Sequence, residues 1–301
     1  MTTAARPTEN PVRPVTLQET RISNRRRFWR AFRRNRVAVA GLIIVSLMAL
    51  GAIFAPVIAP YDPIEPHYTA RLQPPGPEFL LGSDELGRDL LSRLLYGARI
   101  SLVIGFVAQG VAISIGIVLG LIAGWYGGWI DDLIMRITDI FFAIPGLMFL
   151  IVWVTIFEPS PVSIFLALGL ISWPSNVRMM RGQVLSVKDL DYVLSARALG
   201  ASTPRILFIH ILPNAIGPMV VLASLGVAGV ILSESILSFL GLGIQIPTPS
   251  WGTMVNTGKA YMTTAWWYSV FPGLVIMLTV LGFNFLGDGL LDALQPSRNT
   301  R

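Results

Sequence analysis

The sequence predicts an all-α integral membrane protein with six transmembrane helices. Only 13% of its 301 residues are charged and 53% are hydrophobic, whereas a soluble domain carries about 25% charged residues. Apolar runs near the bilayer-crossing length of about 20 residues lie at 37–59, 100–124, 137–157, 161–177, 211–240 and 268–290. Basic residues are placed unevenly. With the N-terminus inside, 18 of the 23 Lys and Arg residues fall on the inner side, which puts both termini in the cytoplasm.

Residues 1–36 form a basic cytoplasmic tail with ten Arg against Glu9 and Glu19, and residues 1–24 read as disordered. Placed directly before an apolar span, this charge suits contact with anionic membrane lipid; no nucleic acid partner is expected. Residues 37–59 are the first transmembrane helix. They are uncharged and longer than a signal-peptide core of roughly 7–15 residues.

Residues 60–97 read as an extracytoplasmic loop punctuated by proline. Within it Ser83 is expected to cap a surface helix near 84–96, with Leu86, Leu90, Leu91, Leu94 and Leu95 on one face. Asp84, Arg88 and Asp89 read as capping groups and surface ion pairs rather than a metal or catalytic cluster.

Residues 98–292 hold the remaining spans. Gly116, Gly120 and Gly124 recur every fourth residue and give a flat helix face for a partner helix, in this chain or another. Asp139 is expected to pair with Arg136 at i, i+3. The short run at 161–177 contains Pro174 and reads as tilted or broken. Glu234, flanked by Ser233, Ser235 and Ser238, reads as interface glue, with pathway lining as the alternative. Residues 241–267 are nearly uncharged, yet Gln245, Pro247, Pro249 and Asn256 argue for an ordered loop. Trp125, Trp129, Trp251, Trp266 and Trp267 suit an interfacial belt. Residues 293–301 form a cytoplasmic C-terminus.

Residues 190–213, LDYVLSARALGASTPRILFIHILP, are the main charge-bearing interval between apolar spans in the second half. Asp191 to Leu199 read as a short helix, with Asp191 near its positive end and Arg197 near its negative end. Gly200 stops it by supplying positive φ, and Thr203-Pro204 starts a second helix. The orientation places this loop in the cytoplasm.

This loop resembles that of the permease subunits of ATP-binding-cassette importers: Glu-Ala-Ala, three residues, Gly, nine residues, Ile-x-Leu-Pro. Ala196, Gly200, Leu212 and Pro213 match in register; Leu194, Ser195 and His210 stand at the Glu, second-position Ala and Ile positions. The stretches LLGSDELGRDLLSRLLYGARISL, LGLGIQIPTPSWG and FPGLVIMLTVLGFNFLGDGLLDALQP are similar to the C-type permeases of dipeptide, oligopeptide and nickel importers. The resemblance implies a type I importer transmembrane domain forming half of a translocation path. Implied partners are a second homologous permease, one or two ATP-binding subunits and an extracytoplasmic substrate-binding protein. Coupling to the ATPase would rest on Asp191, Tyr192, Ser195, Ala196, Arg197, Leu199, Gly200, Leu212 and Pro213. ATP and Mg would sit on the partner subunits, with no cofactor on this chain.

No G-x-x-x-x-G-K-[ST] loop, H-E-x-x-H or G-x-S-x-G occurs, and there is no cysteine. No catalytic or metal-ligating residue is therefore expected. The expected cargo is di- or oligopeptide, with nickel chelates or glutathione as alternatives within the family. The competing class is a secondary transporter or channel, which would need more intramembrane charge and repeat symmetry than this sequence supplies.

Overall fold

The computed structural model describes residues 24–294. Its elements are helical, and no strand occurs among the described residues. The chain runs through α1 (Asn24–Arg34), α2 (Arg36–Ile53), α3 (Ala55–Ile58), α4 (Leu90–Tyr126), α5 (Gly128–Ala143) and α6 (Gly146–Ile156). It continues through α7 (Pro161–Val187), α8 (Asp191–Ala198), α9 (Thr203–Arg205), α10 (Leu212–Phe239), α11 (Trp251–Gly258) and α12 (Trp267–Leu294). Among the described residues five helical stretches are long and apolar enough to cross a membrane. Together α5 and α6, bent by 85°, make a sixth candidate.

Of residues 1–24, which the sequence reads as disordered, only Asn24 is among those described. Residues 1–23 lie outside the described residues, but Asn24–Arg34 form a helix whose Phe32 is buried with Ala38 and Ala293. Asn35 separates α1 from α2 and joins two ends of the chain. Its Oδ1 accepts from the N–H groups of Val37 and Ala38, capping α2, and its Nδ2 donates to Asp292 on α12 at 2.9 Å.

The outer loop differs from expectation at its helix. No separate surface helix forms near 84–96; the helix begins at Leu90 and runs unbroken into the second span. Asp89, not Ser83, is the cap, its carboxylate accepting from the Ser92 N–H at 2.7 Å. The Ser83 hydroxyl instead donates to the Ala70 carbonyl and accepts from the Gln73 N–H, pinning the loop to itself. Asp84, Arg88 and Asp89 are buried rather than on the surface. Asp84 accepts from Arg88 Nε at 2.6 Å and lies 3.3 Å from Arg93 Nε. Glu85 joins Arg88 to the Tyr268 hydroxyl of α12. Because all these partners lie within the chain, the cluster works as a clamp between loop, α4 and α12.

The glycine stripe of α4 packs against α7. A Cβ on Gly116, Gly120 or Gly124 would fall 2.3, 2.6 or 2.6 Å from the Cβ of Asn176, Met180 or Val184. Both series ascend by fours, so the two helices run parallel and their backbones touch closely. Along that contact α7 continues from Pro161 to Val187, ten residues past the expected end, with Pro174 inside it. Pro174 does not break the helix.

The third expected span, 137–157, does break. Pro145 has no N–H to donate and holds Ile144 extended, at φ −82° and ψ 121°. The interval 241–267 is an ordered loop as expected, with α11 within it. Trp251 at the head of α11 is fully buried, not interfacial: its Nε1 donates to the Leu94 carbonyl at 3.1 Å, against Gly97.

Candidate functional site

Helix α8 hangs from the end of α7 beside the α4–α5 turn. The Lys188 ammonium donates to the Gly124 carbonyl at 3.3 Å, tying the start of this loop to the last turn of α4. One side chain anchors the helix. Val193 is 1% exposed and packs in a cluster with Met180 and Val184 of α7, Leu121 of α4 and Ile206 and Ile211. Its neighbours Leu190, Tyr192 and Leu194 point away and are exposed, and Leu199 is 88% exposed. A helix with one buried valine and four exposed large apolar residues presents more sticky surface than it hides.

The C-terminal end of α8 is closed by backbone geometry. Gly200 sits at φ +79°. Its N–H donates to the Arg197 carbonyl at 3.0 Å, and the Ala201 N–H reaches back to the Ala196 carbonyl at 3.1 Å. These two bonds satisfy carbonyls that the helix end would leave free, and they require a left-handed residue at position 200. A Cβ there would meet nothing within 4 Å, so backbone conformation alone demands glycine.

The expected loop residues do not all share one surface. Asp191, Tyr192, Ser195, Arg197 and Leu199 are exposed, and Ala196 is half-buried. The Arg197 guanidinium stacks over the Trp125 ring at 4.9 Å, so it is partly engaged within the chain. Leu212 and Pro213 open α10, where Leu212 packs beneath the loop and Pro213 is exposed. Between them and α8 lies a feature the sequence reading missed, a π-helical turn over Ile206–Ile211. The Leu212 N–H reaches the Leu207 carbonyl five residues back, widening the helix where α8 packs. No periodicity in the sequence announces such a turn.

Glu234 lies elsewhere and is fully buried. Ser238 donates to its Oε1 at 2.7 Å, and Ser101 of α4 lies 3.5 Å from Oε2. The flanking Ser233 and Ser235 bond to their own helix, at the Gly229 and Ile231 carbonyls. The carboxyl joins α10 to α4. Asp139 also departs from expectation: it pairs with Arg178 of α7, not with Arg136. Among the described residues no cluster of three or more His, Cys, Asp or Glu side chains could hold a metal ion.

Comparison with known proteins places this architecture. Residues 116–300 match the family described as binding-protein-dependent transport system inner membrane component. Residues 23–75 match the N-terminal TM domain of oligopeptide transport permease C. The dipeptide transport system permease protein DppC of Escherichia coli is 48% identical over 96% of this chain and 97% of its own. That of Haemophilus influenzae is 46% identical over 89% and 93%. The oligopeptide transport system permease protein OppC of Bacillus subtilis is 42% identical over 88% and 87%. In fold, the chain is similar to a solved chain of the inward-facing MetNI methionine ABC transporter. The TM-score is 0.55 at 19% identity, covering 69% of this chain and 97% of that one. With its helical spans, the loop between α7 and α10 and relatives alike over nearly their whole length, the chain belongs to the binding-protein-dependent transport system inner membrane component family.

Proposed function

We propose that this chain is the permease subunit of an ATP-driven importer of di- or oligopeptides, with both termini in the cytoplasm. It forms half of the translocation path beside a second homologous permease. ATP and Mg are held by one or two partner subunits, and an extracytoplasmic binding protein delivers the cargo. The observation that carries coupling is α8 itself, a short helix outside the spans that is anchored by Val193 and exposes Leu190, Tyr192, Leu194 and Leu199. Those side chains suit a groove on an ATP-hydrolysing partner. Docking that differs between two nucleotide states would shift the inward- and outward-facing populations. The peptide cargo is supported by relatives named for dipeptide and oligopeptide transport at 42–48% identity.

The test is purification of the chain in mild detergent followed by an ATPase assay. Recovery of a second permease and ATPase subunits, with hydrolysis stimulated by a dipeptide and its binding protein, is the expected result. Recovery of this chain alone, with transport intact after reconstitution, would assign it to the secondary carriers.

A further inference from the structure

Asp139 and Arg178 meet on an open face of the protein. Their side chains are 61% and 49% exposed while in ion-pair contact, and the Arg178 guanidinium also lies 4.1 Å from the Phe142 ring centre. At 1.5 Å per residue from Gly128, Asp139 stands about 16 Å along α5. Arg178 stands about 13 Å from the corresponding end of α7, so the pair sits at the inner ends of the apolar runs 137–157 and 161–177, about two to three helical turns in from the tips of both helices. Charged groups at the inner edge of a span face protein or water rather than hydrocarbon.

A second observation concerns the backbone beside this pair. The α5–α6 span breaks by 85°, and residues 142–148 around the break are exposed. Irregular backbone at membrane depth is tolerated where it is buried in protein or lines a water-filled cavity. Interrupted helices also mark substrate sites in other transporters. Here the break follows Asp139 by about one helical turn, and the exposed Phe142 under the Arg178 guanidinium supplies an apolar surface beside the pair.

A free peptide carries an ammonium, a carboxylate and apolar side chains, and this surface offers the complement of each. We propose that Asp139 and Arg178 line the translocation path and hold a peptide in transit by its termini, Arg178 taking the carboxylate and Asp139 the ammonium. An exposed ion pair contributes little by itself, so exchanging it for two pairs with a zwitterion is nearly balanced and leaves the cargo free to move on. The neighbouring pair of Arg181 and Asp131 differs: it is bidentate, at 2.6 Å on both arms, and less exposed, which suits a fixed tie between α5 and α7. The proposal rests on the peptide-importer reading.

The absence of cysteine makes the test direct. In the complete reconstituted transporter, Ala143→Cys and Ser175→Cys, each within one turn of a member of the pair, should react with a charged, membrane-impermeant thiol reagent. Arg178→Gln and Asp139→Asn should each lower dipeptide moved per ATP hydrolysed about tenfold, the worth of one charge-assisted contact. Stimulation of hydrolysis by the loaded binding protein should persist, and Arg178→Lys, which keeps the charge but not the guanidinium over Phe142, should lose less than Arg178→Gln. A structural latch would instead lower transport and stimulated hydrolysis together, and that result overturns the proposal. So do unreactive cysteines, which would mean a face covered by lipid or by the second permease, and an unchanged ratio in both charge variants. A wild-type complex that moves no dipeptide sinks the peptide reading itself, whereas wild-type transport with unaffected variants sinks only this assignment.

Discussion

Substituting Gly200 separates the backbone requirement at the end of α8 from every packing effect. Its φ of +79° lies in the left-handed region, and nothing stands within 4 Å of where a Cβ would be. A non-glycine residue there costs about 1–2 kcal/mol, and a β-branched one falls at the upper end or beyond. If the cap opens to relieve that cost, it loses the bonds to the Arg197 and Ala196 carbonyls, about 1 kcal/mol each. By either route Gly200→Val lowers the capped form of α8 by about 2 kcal/mol, close to a 30-fold change in its population. The assay is ATP hydrolysis by the purified complex with and without loaded binding protein, alongside thermal unfolding. Stimulation should fall at least tenfold while membrane level and Tm hold, because no core contact is touched. The order should be Gly, then Asn, then Ala, then Val, since Asn tolerates left-handed backbone better than the smaller Ala. Full stimulation in Gly200→Val, or a ranking by side-chain volume, would refute the reasoning.

Other perturbations test the frame around that loop. Val193→Asp places a charge in the cluster that anchors α8 and should abolish stimulation, whereas Val193→Ile should leave it within about twofold; the same ATPase assay reads both. Gly120→Ala puts a Cβ 2.6 Å from that of Met180 and 2.9 Å from the Val177 carbonyl, so folded complex recovered by size exclusion should drop sharply. Gly110→Ala, with open space around it, should be recovered normally. Asn35→Ala removes the α2 cap and the bond to Asp292, which should lower stability by about 1 kcal/mol and speed proteolysis within α1. Glu234→Gln keeps shape and hydrogen-bonding capacity and should hold the wild-type Tm within about 2 °C, while Glu234→Ala leaves the Ser238 and Ser101 hydroxyls unpartnered and should lower it clearly.

Much of this architecture is legible from sequence because its causes are local. Apolar run length located the first, second, fifth and sixth spans, since the requirement to cross hydrocarbon acts on each segment separately. The α8 helix and its stop at Gly200 were legible for a similar reason: positive φ is a property of a single residue. The resemblance of 190–213 to a family loop underlies the coupling role we propose for those residues, which their chemistry alone does not specify.

What only the tertiary structure decided concerns pairs far apart in the chain. The sequence offered Asp139 an Arg one turn away, but the packing of α5 on α7 brought Arg178 instead. It offered a flat glycine face on α4 without an owner, and α7 took it. Asp84, Arg88 and Asp89 read as surface charges until the loop, α4 and α12 closed over them. The amphipathic arm of α1 found its place through Phe32 and Asn35 against the far end of the chain. Local signals fix which segments become helices, whereas partner choice depends on which faces meet after every helix has formed. A window of sequence holds one face at a time and never the one opposite.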